Sequence, residues 1–278
     1  MGLYLLYRLG LLVNAVWSAG GCWWLAHHLG AWHARWAVLD RAVVRSNLSV
    51  ATSSPVTDDD PRLTEVFHHF GWYLAEFFRS HRHPLVITMT GYHHLLEAAR
   101  AHPGCMVLTG HIGNWELGAV ALTRAGFPMS AVALTHANRR VNRLFDNQRR
   151  RCGVDVIPLG AQTASRCLRA LHEGRLLGLV ADRDYGAEGV VVEFFGHRWL
   201  MPRGPAVLSL RSGAPVVPVF MIRQAPGAFH FYMEPPLWPP QGPWDERHVQ
   251  QLVQAYAHVI ERYVRRFPTQ WLMFQSIA

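Results

Sequence analysis

His111 and Glu116 lie five positions apart in the stretch Met106-Val-Leu-Thr-Gly-His-Ile-Gly-Asn114-Trp-Glu-Leu-Gly118. An imidazole that titrates near neutrality can take the proton from a hydroxyl as that hydroxyl attacks a carbonyl. A carboxylate beside the imidazole holds its tautomer and stabilises the imidazolium. A pair of this kind needs no Ser or Cys nucleophile, because the acceptor hydroxyl is itself the attacking group. The chemistry that follows is acyl transfer from a thioester, with His111 as base and Glu116 as its partner.

The elements around the pair fit that task. An apolar strand ends at Gly110, a loop carries His111, and Asn114 is a good N-cap for a helix starting at Trp115. Glu116 then falls in the first turn, where the helix dipole favours its ionised form. His111 follows the carboxyl end of a strand, where open α/β sheets place their ligands. From Leu85 onward, short apolar runs alternate with helical segments. The strands expected are 85–90, 106–109, 131–134, 154–158, 176–181 and 216–221, with helices near 95–100, 115–124, 141–151 and 164–172. That alternation predicts an α/β fold, a largely parallel central sheet covered by helices. Residues 190–195 with 199–201, and 229–233, read as antiparallel additions. Arg62–Ser80 and Glu246–Arg266 read as amphipathic helices.

Two further parts of the chain call for chemistry. Arg139–Arg151 carries six Arg against the single Asp146. On a helix, Arg139, Arg143 and Arg150 share one face, which serves either as a solvated surface or as a binder of lipid or carrier phosphates. Asp182, Arg183 and Asp184 follow an apolar strand and so emerge at the same sheet edge as His111. They either organise an acceptor sugar or the Arg cluster, or form a loop salt bridge. Arg203 precedes another helix and could reach a donor phosphate, and Asn114 is a further candidate for substrate binding.

These pieces, in order, resemble the H-x4-D/E acyltransferases of glycerolipid type. In its longer form the motif is most similar to the lipid A biosynthesis (lauroyl/myristoyl) acyltransferases and their actinobacterial relatives that acylate phosphatidylinositol mannosides. Arg45-Ser-Asn47-Leu48 resembles the family's R-x-N-L segment, Asn138–Arg151 its Arg-rich helix, and Val180-Ala-Asp182-Arg-Asp184-Tyr-Gly186 its D-x-D-x-G-type loop. Phe195-Gly196 and Pro205–Pro218 match later elements. The resemblance implies a glycerolipid-acyltransferase-like fold and an acyl carrier protein or CoA thioester as donor, with no bound cofactor. It also implies a phosphorylated glycolipid acceptor, a lipid A precursor or a mannosylated alternative, and a place on the cytoplasmic side of the cell inner membrane. Where lipid A enzymes carry a Tyr-Arg-Pro-type segment, this chain reads Leu134-Thr-His-Ala-Asn138-Arg139.

Composition narrows the choice. Half the residues are hydrophobic and 17% are charged, enough to bury a sizeable core and low for a freely soluble protein. The formal charge is +8, and all 27 basic side chains are Arg. With no Lys, the P-loop and Schiff-base chemistry are excluded. The four Cys are scattered and suggest neither zinc nor disulfides. The 17 His include adjacent pairs that point apart on a helix, and no metal site is expected. No G-x-S-x-G nucleophile elbow is present. The Arg cluster lacks the interleaved aromatics of a nucleic-acid groove. Leu9–Ala34 contains no formally charged residue. Residues 1–50 therefore read as an anchor, spanning, hairpin-like or lying in the membrane plane, or as a buried helix, with 51–278 as the acyltransferase domain.

Overall fold

In the computed structural model, residues 2–82, 84–185 and 188–276 are described. Three helices open the chain: α1 (Gly2–Val16), α2 (Ala19–Trp36) and α3 (Val38–Thr52). Ser18 ends the run of α1 and caps α2 through its side chain on Gly21 N. The uncharged stretch is thus folded into two helices, and among the described residues no helix is long and apolar enough to cross a membrane. α4 (Pro61–Arg79) starts at the Asp60 cap with Pro at its first turn, and packs against α2. Gly30 and Gly71 make the α2–α4 approach possible: a Cβ at either would lie 2.6 Å from a backbone oxygen of the facing helix.

The rest alternates: β1 (Val86–Thr90), α5 (Tyr92–Ala101), β2 (Cys105–Thr109), α6 (Trp115–Arg124), β3 (Met129–Ala133), α7 (Arg139–Arg151), β4 (Val154–Pro158), α8 (Thr163–His172), β5 (Leu176–Val180). There follow β6 (Val190–Phe194), β7 (His197–Met201), α9 (Gly204–Ser212), β8 (Val216–Ala225), β9 (Ala228–Met233) and α10 (Glu246–Arg266). The seven-stranded sheet has the order β1-β9-β8-β2-β5-β3-β4. The five strands from β8 to β4 are mutually parallel, while β9 pairs antiparallel with β8 and parallel with β1. The central strand β2 is buried at every residue, as a strand covered on both faces must be. One face packs on α8, α9 and α10, the other on α5 and α6.

The expectation that β6 and β7 extend the sheet is corrected. They form a separate hairpin lying on α10, because α10 supplies what a sheet edge would otherwise offer. Gln254 accepts from Glu193 N at 2.9 Å and donates to Glu193 O at 2.8 Å, and Glu261 accepts from Phe195 N at 2.8 Å.

Candidate active site

The register of the sheet decides what His111 meets. Thr109 of β2 pairs with Val180 of β5, so His111 and Asp182 each lie two residues past a matched pair of strand ends. His111 Nδ1 is 2.7 Å from Asp182 Oδ1, and His111 backbone N donates to Asp182 Oδ2 at 2.7 Å. The Trp271 indole donates to the same Oδ2 at 3.0 Å. Gly110 lets the carboxylate come this close, since a Cβ there would stand 2.9 Å from Asp182 Oδ2. Gly113 adopts φ +66°, and a Cβ would collide with Met221 O at 2.0 Å. Asp182 is fully buried. Burial alone would raise its pKa, but the charge and hydrogen bonds of His111, with that of Trp271, outweigh it and hold the carboxyl below its ordinary value. Trp115 packs edge-on against the His111 ring at 5.0 Å and stacks on Tyr73 at 4.4 Å.

Glu116 is not the partner of His111, contrary to the sequence expectation. It lies in the first turn of α6 and is 7% exposed. Its carboxylate receives a forked contact from Arg149 of α7, with Nε 3.1 Å from both oxygens and Nη2 on Oε1. The cap geometry explains the difference: Asn114 holds α6 so that its first turn faces α7, while the loop before it turns His111 toward β5. Burial would lower the Arg149 pKa, but the Glu116 carboxylate outweighs it and raises it. Breaking this pair leaves a mostly buried charge. Glu116→Ala should therefore cost about 3–5 kcal/mol of stability, less whatever Asp146, 3.4 Å from Arg149 Nη1, recovers. Thermal melts check this. Glu116→Leu/Arg149→Met should regain much of the loss, and equal destabilisation in both proteins would sink the reading.

The other expected residues divide clearly. Asn114 is fully buried and turned from the cavity: its carbonyl caps Leu117 N at 3.3 Å and its amide donates to Glu76 Oε2 at 2.9 Å. Arg139, Arg143 and Arg150 are exposed on α7 and do not line the cavity. The inward stripe of α7 is Val141, Phe145 and Gln148, and Arg149 follows Phe145 by one turn. That stripe is legible in the sequence and would have singled out Arg149. Asp182, expected to meet substrate, instead holds His111. Arg183 and Arg203 do line the cavity, Arg183 with its guanidinium 4.8 Å from the Tyr185 ring and Arg203 paired to Glu246 at 2.6 Å. Gly186, part of the Asp182 loop motif, lies outside the described residues. Nothing in the local sequence marks Trp271 or Tyr73.

These groups border one cavity of about 840 Å³, within the range of small-molecule sites. Its inner wall is apolar, with Val107, Leu122, Met129, Val219, Met221 and Phe231 among the lining. Its lining also includes the polar groups of His111, Glu116, Arg149, Arg183, Asp184 and Arg203. His111 Nε2 has no hydrogen-bond partner among the described residues. Arg183 Nε and Asp184 Oδ2 are buried and likewise unpartnered there. An imidazole with one nitrogen fixed on a carboxylate and the other open to an apolar cavity can accept a proton from a bound hydroxyl.

A family model described as "Bacterial lipid A biosynthesis acyltransferase" matches residues 4–277. A phosphatidylinositol mannoside acyltransferase of Mycobacterium tuberculosis (strain ATCC 25618 / H37Rv) is 29% identical over 243 residues, covering 84% of this chain and 75% of that one. One of the same description from Mycolicibacterium smegmatis is 30% identical over 189 residues, 66% of this chain and 59% of that protein. The crystal structure of the 1-acyl-sn-glycerophosphate acyltransferase PlsC from Thermotoga maritima superposes with a TM-score of 0.41 at 13% identity, covering 77% of this chain and 85% of that one.

Proposed function

The chain belongs to the bacterial lipid A biosynthesis acyltransferase family, and from that premise we propose that it moves a fatty acyl group from an acyl carrier protein or CoA thioester to a hydroxyl of a phosphorylated glycolipid. The observation that carries this reading is the His111 imidazole, tied through Nδ1 to buried Asp182 and with Nε2 unpartnered at an apolar cavity. The Nδ1–H donates to Asp182, so Nε2 is the basic nitrogen. It takes the acceptor's hydroxyl proton as the oxygen bonds to the thioester carbonyl carbon. When the tetrahedral intermediate collapses, the C–S bond breaks and the imidazolium returns the proton to the thiolate. Asp182 stabilises the imidazolium between those two events. The apolar wall takes the acyl chain, while Arg149, Arg183, Asp184 and Arg203 face the polar parts of donor and acceptor.

Residues 1–50 hold the protein on the membrane and lie in the plane of the bilayer. α1 and α2 expose Leu5, Leu6, Leu9, Leu12, Trp24 and Trp32, large apolar and aromatic side chains of the kind that settle at a membrane interface. Arg140 lies over the Tyr4 ring at 5.7 Å, where α7 packs on α1. Residues 1–50 thus serve as the anchor, with Arg139, Arg143 and Arg150 available to lipid phosphates on the cytoplasmic side of the inner membrane.

Two acceptors remain distinct, a lipid A precursor as in the family's description and a mannosylated phosphatidylinositol as in the curated relatives' names. Each is offered with acyl-CoA or acyl carrier protein, in anionic vesicles or dispersed in detergent, and the product is weighed by mass spectrometry. Gain of one acyl mass by one acceptor identifies it. Release of free fatty acid alone would refute the transferase reading for both. Trp24→Glu/Trp32→Glu should lose vesicle binding and vesicle-borne activity but keep detergent activity; unchanged sedimentation with vesicles would refute the anchor.

A further inference from the structure

Glu76 of α4 and Arg223 of β8 form an ion pair whose side chains are 4% and 3% exposed. Arg223 Nε donates to Glu76 Oε1 at 2.9 Å, and Nη2 donates to Oε2. The guanidinium lies within 5.7 Å of the Trp23, Trp72 and Phe229 rings, and its Nη1 is 2.6 Å from His69 Nδ1. A pair buried this deeply is no stabiliser in itself, since apolar replacements of similar volume often leave a fold as stable or more so. None of its atoms lines the cavity. What the pair does hold is the loop that carries His111.

Glu76 Oε2 accepts the side-chain amide of Asn114 at 2.9 Å, three residues beyond His111. Asn114 backbone N donates to Met221 O at 2.8 Å, two residues before Arg223. Gln270 closes the other side. It accepts from Arg223 N at 2.9 Å, donates to Arg223 O at 2.8 Å, and its own backbone O accepts from Gly113 N at 2.9 Å. Leu272 N then donates to His111 O at 2.7 Å. Residues 111–114 are gripped from α4, β8 and the C-terminal segment at once, with the ion pair joining the first two.

We propose that Glu76 and Arg223 are positioning residues that hold the 111–114 loop through Asn114, so that His111 meets both Asp182 and the bound hydroxyl. The proposal rests on the reading of His111 as the base. A side chain moved by about 1 Å can cost 10²-fold in rate, so loss of this grip should appear in kcat while the cavity still binds substrate.

The test uses the full chain with four variants, in thermal melts and steady-state kinetics. Glu76→Leu alone strands the Arg223 charge and lowers Tm by several degrees. Glu76→Leu/Arg223→Met should return Tm close to wild type, while kcat stays roughly tenfold or more below it and KM for the acceptor is unchanged. A merely structural pair behaves otherwise: kcat recovers along with Tm, and that result overturns the proposal. Should the double variant fail to fold, Asn114→Ser keeps the helix cap and the ion pair but loses the bond between them. Wild-type kcat in Asn114→Ser overturns the proposal equally. His111→Ala separates the two claims. Near-normal turnover there defeats the base assignment, whereas an inactive His111→Ala beside fully active Asn114→Ser and Glu76→Leu/Arg223→Met defeats the positioning role alone.

Discussion

His111→Ala should lower kcat by roughly 10²–10⁴-fold, the usual contribution of a positioned general base, while the protein stays folded. The side chain is 19% exposed and makes one side-chain hydrogen bond, to Asp182. Its removal leaves Asp182 with the His111 backbone N–H and the Trp271 indole as donors, so the carboxylate is still held. KM for the acceptor should change little, because the imidazole acts on the proton in flight and adds little to ground-state binding. Single-turnover transfer from a radiolabelled acyl thioester, measured beside the melting temperature, checks both halves. A folded His111→Ala protein with near-normal turnover would end the mechanism.

Asp182→Asn should be nearly as damaging, roughly 10²–10⁴-fold in kcat, because an amide in place of the carboxylate reverses the preferred tautomer of the imidazole. Oδ2 accepts from two N–H groups and Oδ1 faces Nδ1. An asparagine that keeps its oxygen on those two N–H groups sets its NH₂ against Nδ1, which must then accept, so the ring proton moves to Nε2 and the base is lost. The His111→Ala/Asp182→Asn double variant should be little worse than the poorer single, since the two act as a unit; fully multiplicative losses would separate them. Stability gives a second reading. The Asp182 pKa is lowered in the folded state, so its ionised form stabilises the fold above the unfolded value of about 3.9. That contribution is lost as pH falls below about 4 and through the folded value. Acid titration of Tm should therefore show a loss below pH 4 that is smaller in Asp182→Asn, and superimposable curves would contradict the assignment.

Much of this molecule is determined by the local order of its residues. Glu246–Arg266 reads as a helix in sequence and is one in the structure, with Asp245 as cap, because its apolar period of 3.6 has nothing to compete with. Trp115–Arg124 follows from Asn114 in the same way. The apolar runs that became β2 and β5 announce strands of a covered sheet, and the alternation with helices announces a mainly parallel one. Family membership was also legible, because the motif order from Arg45 to Pro218 is a property of the chain alone.

Which carboxylate reaches His111 was decided only by the tertiary structure. Asp182 stands 71 residues from His111, and their contact depends on β2 and β5 pairing in register, Thr109 opposite Val180. Spacing within one segment favoured Glu116, five residues away. That residue answers instead to Arg149, which a helix from another part of the chain delivers. The uncharged stretch Leu9–Ala34 shows the same limit: hydropathy sums over residues, while the cap at Ser18 and the close α2–α4 approach at Gly30 and Gly71 depend on what each residue faces. Secondary structure comes from interactions a few residues apart, and sequence periodicity records them. The proton path, the cavity wall and the grip of Glu76 on Asn114 come from contacts between segments, and no local pattern carries those.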